Sequence, residues 1–299
     1  MGNKLNYSFM AFASGKVSTE VAEVKRYIGV APVYVKAVNP TKKQLEAIYN
    51  TTIENEPSYL SEDENKVKQA RIDFVVVTDA EKCGIEMTTK VTFFIKNDVR
   101  YNRDKTKIQV INKYGETTWL PIEDAKAGRV PESLSWFEAA DFRPAYIGEE
   151  ELTGFIKAYL NIPNKSYRNA NGEVIELENK SDAEARLDCI GNYFKGDFSE
   201  LKSVIELQPN NKVKVLFGVR TTDDGKQYQT AYIQKFLKNN VSNYSKLEED
   251  VKARKDSGAY PTTTFKVCEL EEFTVEASDL NEDMPEAAPA VEMPNWFTK

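Results

Sequence analysis

Residues 96–113 concentrate the charge needed to hold a polyanion. Lys96, Arg100, Arg103, Lys105, Lys107 and Lys113 stand there against only Asp98 and Asp104, with Tyr101 among them and Tyr114 immediately after. Cations neutralise backbone phosphates and release condensed counterions, while flat rings stack bases without regard to sequence. The same segment also has a plainer reading, as the solvated tip of a hairpin. A second concentration runs from Lys212 to Phe236. Lys212, Lys214 and Arg220 share one face of an alternating stretch, and Tyr228, Tyr232 and Phe236 follow at strand period. Stacking is worth about 1–3 kcal/mol per base, so two such rings with a few phosphate contacts would give useful affinity. Rings at that period also build cores, and if these do, the binding face is the Lys212 side.

Catalytic chemistry has less to work with. The chain has no histidine, which removes Ser-His and Cys-His nucleophile pairs and imidazole metal ligation. Cys83, Cys189 and Cys268 are odd in number and widely spaced, so neither a disulfide framework nor a zinc site is expected, and three small buried side chains are. Gly15-Lys16 lacks the rest of a P-loop, and no G-x-G-x-x-G follows a strand pattern. Asp73 with Asp79, or Glu123 with Asp124 beside Lys126, could be drawn around Mg²⁺ as in a nuclease, but carboxylates are common enough here for chance to explain them. We expect no enzyme, no cofactor and no metal.

The C-terminal stretch is acidic. Residues 269–299 hold nine carboxylates and Lys299, a sum of 1 − 9 = −8. The whole chain carries −7, which leaves −7 − (−8) = +1 for the body. The stretch contains Pro285, Pro289 and Pro294, shows no apolar periodicity and closes on Trp296-Phe297-Thr298-Lys299. We therefore expect a disordered acidic tail that can occupy a cationic groove, with Asp283, Pro294, Trp296 and Phe297 offered to partner proteins.

The elements that must carry these residues are mostly strands. A chain of 299 residues, 41% of them hydrophobic, suffices for one large domain with a real core. Tyr27–Val38 is rich in β-branched residues, and Pro32 suggests an edge or a bulge. Thr41 with Gln44 forms a capping-box pattern for a short helix through Tyr49. Arg71–Val77 and Glu86–Ile95 suggest a hairpin. In the second of these, Val91, Phe93 and Ile95 share one face while Lys90, Thr92, Phe94 and Lys96 share the other, so one face packs and the other can bind. Lys107–Asn112 and Thr117–Leu120 suggest another hairpin. The period then lengthens: Glu149–Tyr159, Asp182–Phe194 and Phe198–Leu207 suggest helices in an insertion at about 148–207. Strand patterns return at Lys212–Arg220 and Gln227–Leu237, a polar helix follows at Tyr244–Lys255, and a last strand is expected at Thr262–Leu270. The fold expected is α+β: a β-rich, OB-fold-like barrel over residues 1–268 with a helical insertion, then the tail from residue 269. No window reaches the roughly 18 apolar residues of a membrane span and the N-terminus has no apolar signal region, so a cytoplasmic protein without membrane contact is expected.

Three segments carry a family resemblance: Val38-Asn39-Pro40-Thr41-Lys42-Lys43-Gln44-Leu45, Ala145-Tyr146-Ile147-Gly148-Glu149-Glu150-Glu151-Leu152, and Val215-Leu216-Phe217-Gly218-Val219-Arg220. In this order they resemble the single-stranded DNA-binding proteins of tailed bacteriophages, those of crAss-like phages among them. The resemblance implies an OB-fold with insertions, a basic cleft, and an acidic tail that recruits replication and recombination proteins. Asp283-Met284-Pro285 is similar to the acidic-then-proline ending of bacterial proteins with that function, though here it is internal. The leading expectation is sequence-tolerant binding of single-stranded DNA. The alternative is a phage virion structural or assembly protein, which the near-neutral body favours.

Overall fold

The computed structural model describes residues 24–84, 86–112, 115–134, 137, 142–161, 190–206 and 208–275. Its centre is β1 (Val24–Val38), long enough to change partners along its length. Gly29–Val33 pairs antiparallel with β9 (Val213–Thr221), and Val33–Val38 pairs with β3 (Lys68–Thr78). Pro32 therefore lies in an inner strand and not at an edge. Its carbonyl accepts from the Asp79 amide at 2.9 Å, just past the end of the ladder to β3, so its missing N–H removes no ladder bond. A bulge between Val35 and Ala37 bends the strand.

The sheet continues from β3 to β4 (Thr88–Val99) on one side and from β9 to β10 (Gln227–Ala231) on the other. Its order is β10-β9-β1-β3-β4-β8, with β8 at Tyr146–Ile147. Short strands add to this path: β2 (Leu60–Glu62) on β3, and β11 (Leu237–Lys238) and β12 (Thr263–Phe265) on β9. The sheet curls until β10 lies against β4, giving an antiparallel half-barrel in an α+β fold.

Alternation decides what fills it. Ala31, Val33 and Val35 of β1, Ile72, Phe74 and Val76 of β3, Val91, Phe93 and Ile95 of β4, and Val213, Val215 and Phe217 of β9 all point inward. Helix α4 (Glu149–Tyr159) closes the open side with Leu152, Phe155, Ile156 and Tyr159, the four residues that share its apolar face. Phe155 lies 4.4 Å from the Phe74 ring centre and 5.6 Å from that of Phe93. Full burial of one such ring contributes about 1.5–3 kcal/mol. Short helices α5 (Ile190–Tyr193) and α6 (Ser199–Glu206) extend the plug, so the helical stretch between the β regions supplies a wall of the core. Of the helix expected at 182–194, residues 182–189 lie outside the described residues.

A smaller sheet, β6-β5-β7, holds β5 (Lys107–Ile111), β6 (Thr117–Pro121) and β7 (Arg143–Pro144) around its own core of Ile108, Val110, Leu120 and Phe137. The capping box forms as its residues predict: Thr41 N donates to Gln44 Oε1 at 2.9 Å, and helix α1 (Lys42–Tyr49) packs Leu45 and Tyr49 on Val75. Strand β13 (Glu271–Val275) pairs with Val24–Ile28 of β1, so the sheet includes residues from the stretch expected to be tail from residue 269. Among the described residues, no helix is long and apolar enough to cross a membrane.

Candidate nucleic-acid interface

Strand β4 divides as its alternation requires. Phe93 is 1% exposed, whereas its neighbour Phe94 is 50% exposed, the highest value among the large hydrophobic side chains described. Lys90, Thr92, Phe94 and Lys96 share the outer face, and across the ladder lie Val75, Asp73, Arg71 and Gln69. The buried Asp73 carboxylate organises this face. It accepts from Arg71 at 2.8 Å and from Thr92 at 3.0 Å, with Lys90 Nζ 3.5 Å away. Arg71 also lies 5.3 Å from the Tyr59 ring centre, a cation–π stack that fixes its guanidinium opposite Phe94. Charge on Lys90 is thus partly neutralised, while Lys96 carries no ion pair among the described residues. Arg71, Tyr59 and Gln69 were not among the expected site residues. Arg71 and Asp73 sit two apart at the start of a strand whose partner face was already read as cationic, and that was the available signal.

Beyond Lys96 the ladder to β8 slips and pairs again at Val99, where β4 ends and the chain runs on alongside β5 of the small sheet. Tyr101, 47% exposed, bridges to Ile108, and the turn between them is closed by Asn102 N donating to Lys107 O at 3.0 Å. Arg103, Lys105 and Lys107 are exposed on this turn with no ion-pair partner among the described residues. Arg100 does not join them. Its Nη1 donates to Glu150 and Glu151, each at 3.2 Å, so this cation is spent holding the first turn of α4, and its place in the binding set is withdrawn. Lys113 lies outside the described residues.

The second concentration is broken up. Lys212 Nζ donates to Asp79 at 2.7 Å, and Lys214 Nζ to Val241 O and the Tyr244 hydroxyl, both at 2.8 Å. Both lysines are engaged within the fold, and a second layer covers the face of β9 around Lys214: Val30 and Leu216 pack with Leu247 of helix α7 (Ser245–Asp256) and with Phe265. The aromatic row does not exist as one row. β10 ends at Ala231, Tyr232 is fully buried and donates to Asp250, and Phe236 packs 5.7 Å from Phe93 and 5.1 Å from Phe155. Tyr232 is core and Phe236, half-buried, packs against the core, as the competing reading had it. Tyr228 remains, 40% exposed and directly opposite the exposed Arg220.

The carboxylates that could be drawn around Mg²⁺ each pair with a cation of the fold, Glu123 with Lys126 at 3.5 Å. Asp73 and Asp79 face different cations, Arg71 with Lys90 and Lys212, and Asp124 pairs with Arg129 at 3.0 Å. Cys83 and Cys268 are half-buried, not fully buried. Burial, with Asp79 and Glu269 adding to it, pushes the Cys83 thiol up to about 11, which keeps it protonated and unreactive at neutral pH. Cys189, Asp283, Pro294, Trp296 and Phe297 lie outside the described residues. No family model, no curated protein and no solved structure matches this chain.

Proposed function

We propose that this chain binds single-stranded nucleic acid without catalysis and with little regard to sequence, the outer face of β4 and the hairpin that prolongs it forming the contact surface. One observation carries the proposal. A single strand presents the exposed ring of Phe94 beside Lys96, and its continuation presents Tyr101 with Arg103, Lys105 and Lys107. Rings for bases and unpaired cations for phosphates in one line are the requirements of a path for a single strand.

Connectivity supports the finer reading of an OB barrel. With the short strands set aside, β1-β3-β4 is a meander, helices follow, and β9-β10 returns so that β9 pairs with β1 and β10 comes against β4. In that fold the outer face of the second and third strands and the loop between the fourth and fifth are the oligonucleotide-binding parts. Here these are the β3–β4 face with Phe94 and the Thr222–Lys226 turn, flanked by Arg220 and Tyr228. The resemblance to phage single-stranded DNA-binding proteins agrees with this. We assign recruitment of replication or recombination proteins to the acidic residues after 275, on sequence grounds alone.

Fluorescence anisotropy with a labelled thymidine oligomer, repeated across salt and with duplex competitor, tests the proposal. Affinity should fall with log salt by about 0.7 log unit per phosphate contact. No binding to any oligomer, together with stable rings formed without nucleic acid, would replace it with the virion-assembly reading.

A further inference from the structure

The contact surface has two halves, and a set of carboxylates that belongs to neither helps to fix one against the other. Phe94 and Lys96 belong to the half-barrel, whereas Tyr101, Arg103 and Lys105 lie on the hairpin that leads into the small sheet, and Lys107 opens its strand β5. Between them the β4 ladder to β8 shifts register, pairing at Lys96 and again at Val99, and such a bulge lets a strand bend. Among the described residues, backbone bonds cross the junction from Arg100 N to Ala145 O at 3.2 Å, and from Gln109 N to Arg100 O and Ala145 N to Gln109 O, both at 2.9 Å.

The first turn of α4 supplies the remainder. Glu150 accepts from three elements at once: Arg100 Nη1 at 3.2 Å, Gln109 Nε2 at 2.7 Å and Thr117 Oγ1 at 2.9 Å. These donors sit at the base of the cationic hairpin, on β5 and on β6. Glu151 shares Arg100, and the buried Glu149 takes Arg143 of β7 at 3.0 Å and the Tyr146 amide at 2.8 Å. The helix start is itself seated against β4, because Gly148, at φ +86°, brings its Cα to where a Cβ would overlap the Phe94 carbonyl. One end of one helix therefore grips both the strand bearing Phe94 and the sheet bearing the hairpin.

We propose that Glu150 is a positioning residue, a latch that holds the hairpin cations in line with the Phe94 face so that one strand engages both. This rests on the proposed function above. Two half-sites held at fixed spacing bind a spanning ligand with a high effective concentration, and loosening the spacing costs avidity without altering either half. Glu150 suits the test because its side chain is 46% exposed and it lies outside both halves.

The experiment compares Glu150→Ala, Glu150→Gln and Thr117→Val with the parent protein, using thymidine oligomers of about 4 and about 16 nucleotides, a range that brackets single-barrel site sizes. Glu150→Ala should weaken the long oligomer roughly tenfold and leave the short one unchanged, with Thr117→Val and Glu150→Gln between it and the parent. Equal tightening of both lengths would make Glu150 a mere repelling charge and overturn the latch. Equal weakening of both lengths, or no change in either, also overturns it. Amide exchange reads the latch without ligand: the Gln109 and Ala145 amides should exchange faster in Glu150→Ala while those of β3 keep their rates, and unchanged exchange would overturn it. If the parent protein binds neither oligomer, the proposed function fails, and the exchange rates still decide the latch.

Discussion

Strands β4 and β9 are near twins in sequence pattern and opposites in use. Each alternates apolar residues with cations, and each sends its apolar residues, Val91, Phe93 and Ile95 or Val213, Val215 and Phe217, into the same core. On β4 the other face is open around Phe94 and Lys96. On β9 it is covered by α7 and by the side chains of Phe265 and Val267, and Lys212 and Lys214 are drawn into bonds with Asp79, Val241 and Tyr244. Alternation tells which face of a strand meets the core. Whether a second layer lies over the opposite face is decided by residues far away in the chain.

The largest effect should come from reversing charge on one twin and not the other. Arg103→Glu, Lys105→Glu and Lys107→Glu together should lower oligomer affinity at low salt by roughly 10²-fold or more and reduce the slope of log K against log salt by about 2. Lys214→Met should leave both unchanged while lowering thermal stability, since it removes the donor to the Val241 carbonyl and the Tyr244 hydroxyl. If the β9 substitution weakens binding as much as the hairpin reversal does, the division between the strands is wrong.

Gly218 is what permits this cover. A Cβ there would overlap the Thr264 carbonyl oxygen and crowd the Phe265 ring, so only glycine lets β12 cross this closely over β9. Gly218→Val should cost about 3 kcal/mol in denaturant unfolding, with Phe265 and Tyr260 displaced from their contacts with Tyr232. The contribution of the β4 face to oligomer affinity should survive, because β4 lies on the other side of β1 and β3. Phe94→Ala is the complementary change. It removes a ring that is half exposed, so stability should hold, while affinity should fall by about 1–3 kcal/mol if a base stacks there. An unaltered affinity would take Phe94 out of the site.

Much of this was legible in the residues, and the exceptions have physical causes. Local signals were followed closely: the Thr41–Gln44 capping box, the Glu149–Tyr159 amphipathic face and the split of β4 are each set by neighbours within a turn or a strand. Misreadings came where partners were distant. Arg100 counted as a free cation because the glutamates that hold it stand 50 and 51 positions on. Gln227–Leu237 suggested one strand because rings at period 2 look alike whether core or platform. In the folded chain the strand stops at Ala231, Tyr232 turns toward Asp250 beneath α7, and Phe236 enters the core. A long-range hydrogen bond leaves no mark in a single sequence.

The smallest effect asks whether Lys212 belongs to the fold alone. Asp79 caps helix α2 (Ala80–Cys83), accepting from the Glu81 amide at 3.1 Å, and its other oxygen takes Lys212 Nζ. The hydrogen bond from Lys212 holds the Asp79 carboxyl below its ordinary range, and the same bond raises Lys212. A depressed folded carboxylate contributes stability that is fully present above its unfolded value, about 3.9, and is lost as pH falls through the folded value. A raised lysine contributes stability that is present below about 10.4 and lost as pH rises through its folded value. Asp79→Asn keeps a good cap and removes the charge, so it should cost about 1.5 kcal/mol across pH 5–9. The gap from the parent protein should narrow as pH drops below 4, and oligomer affinity should stay constant throughout. A gap that persists undiminished at pH 2 would show that the pair is not the origin of the loss. A fall in affinity would return Lys212 to the binding face and make the two strands alike after all.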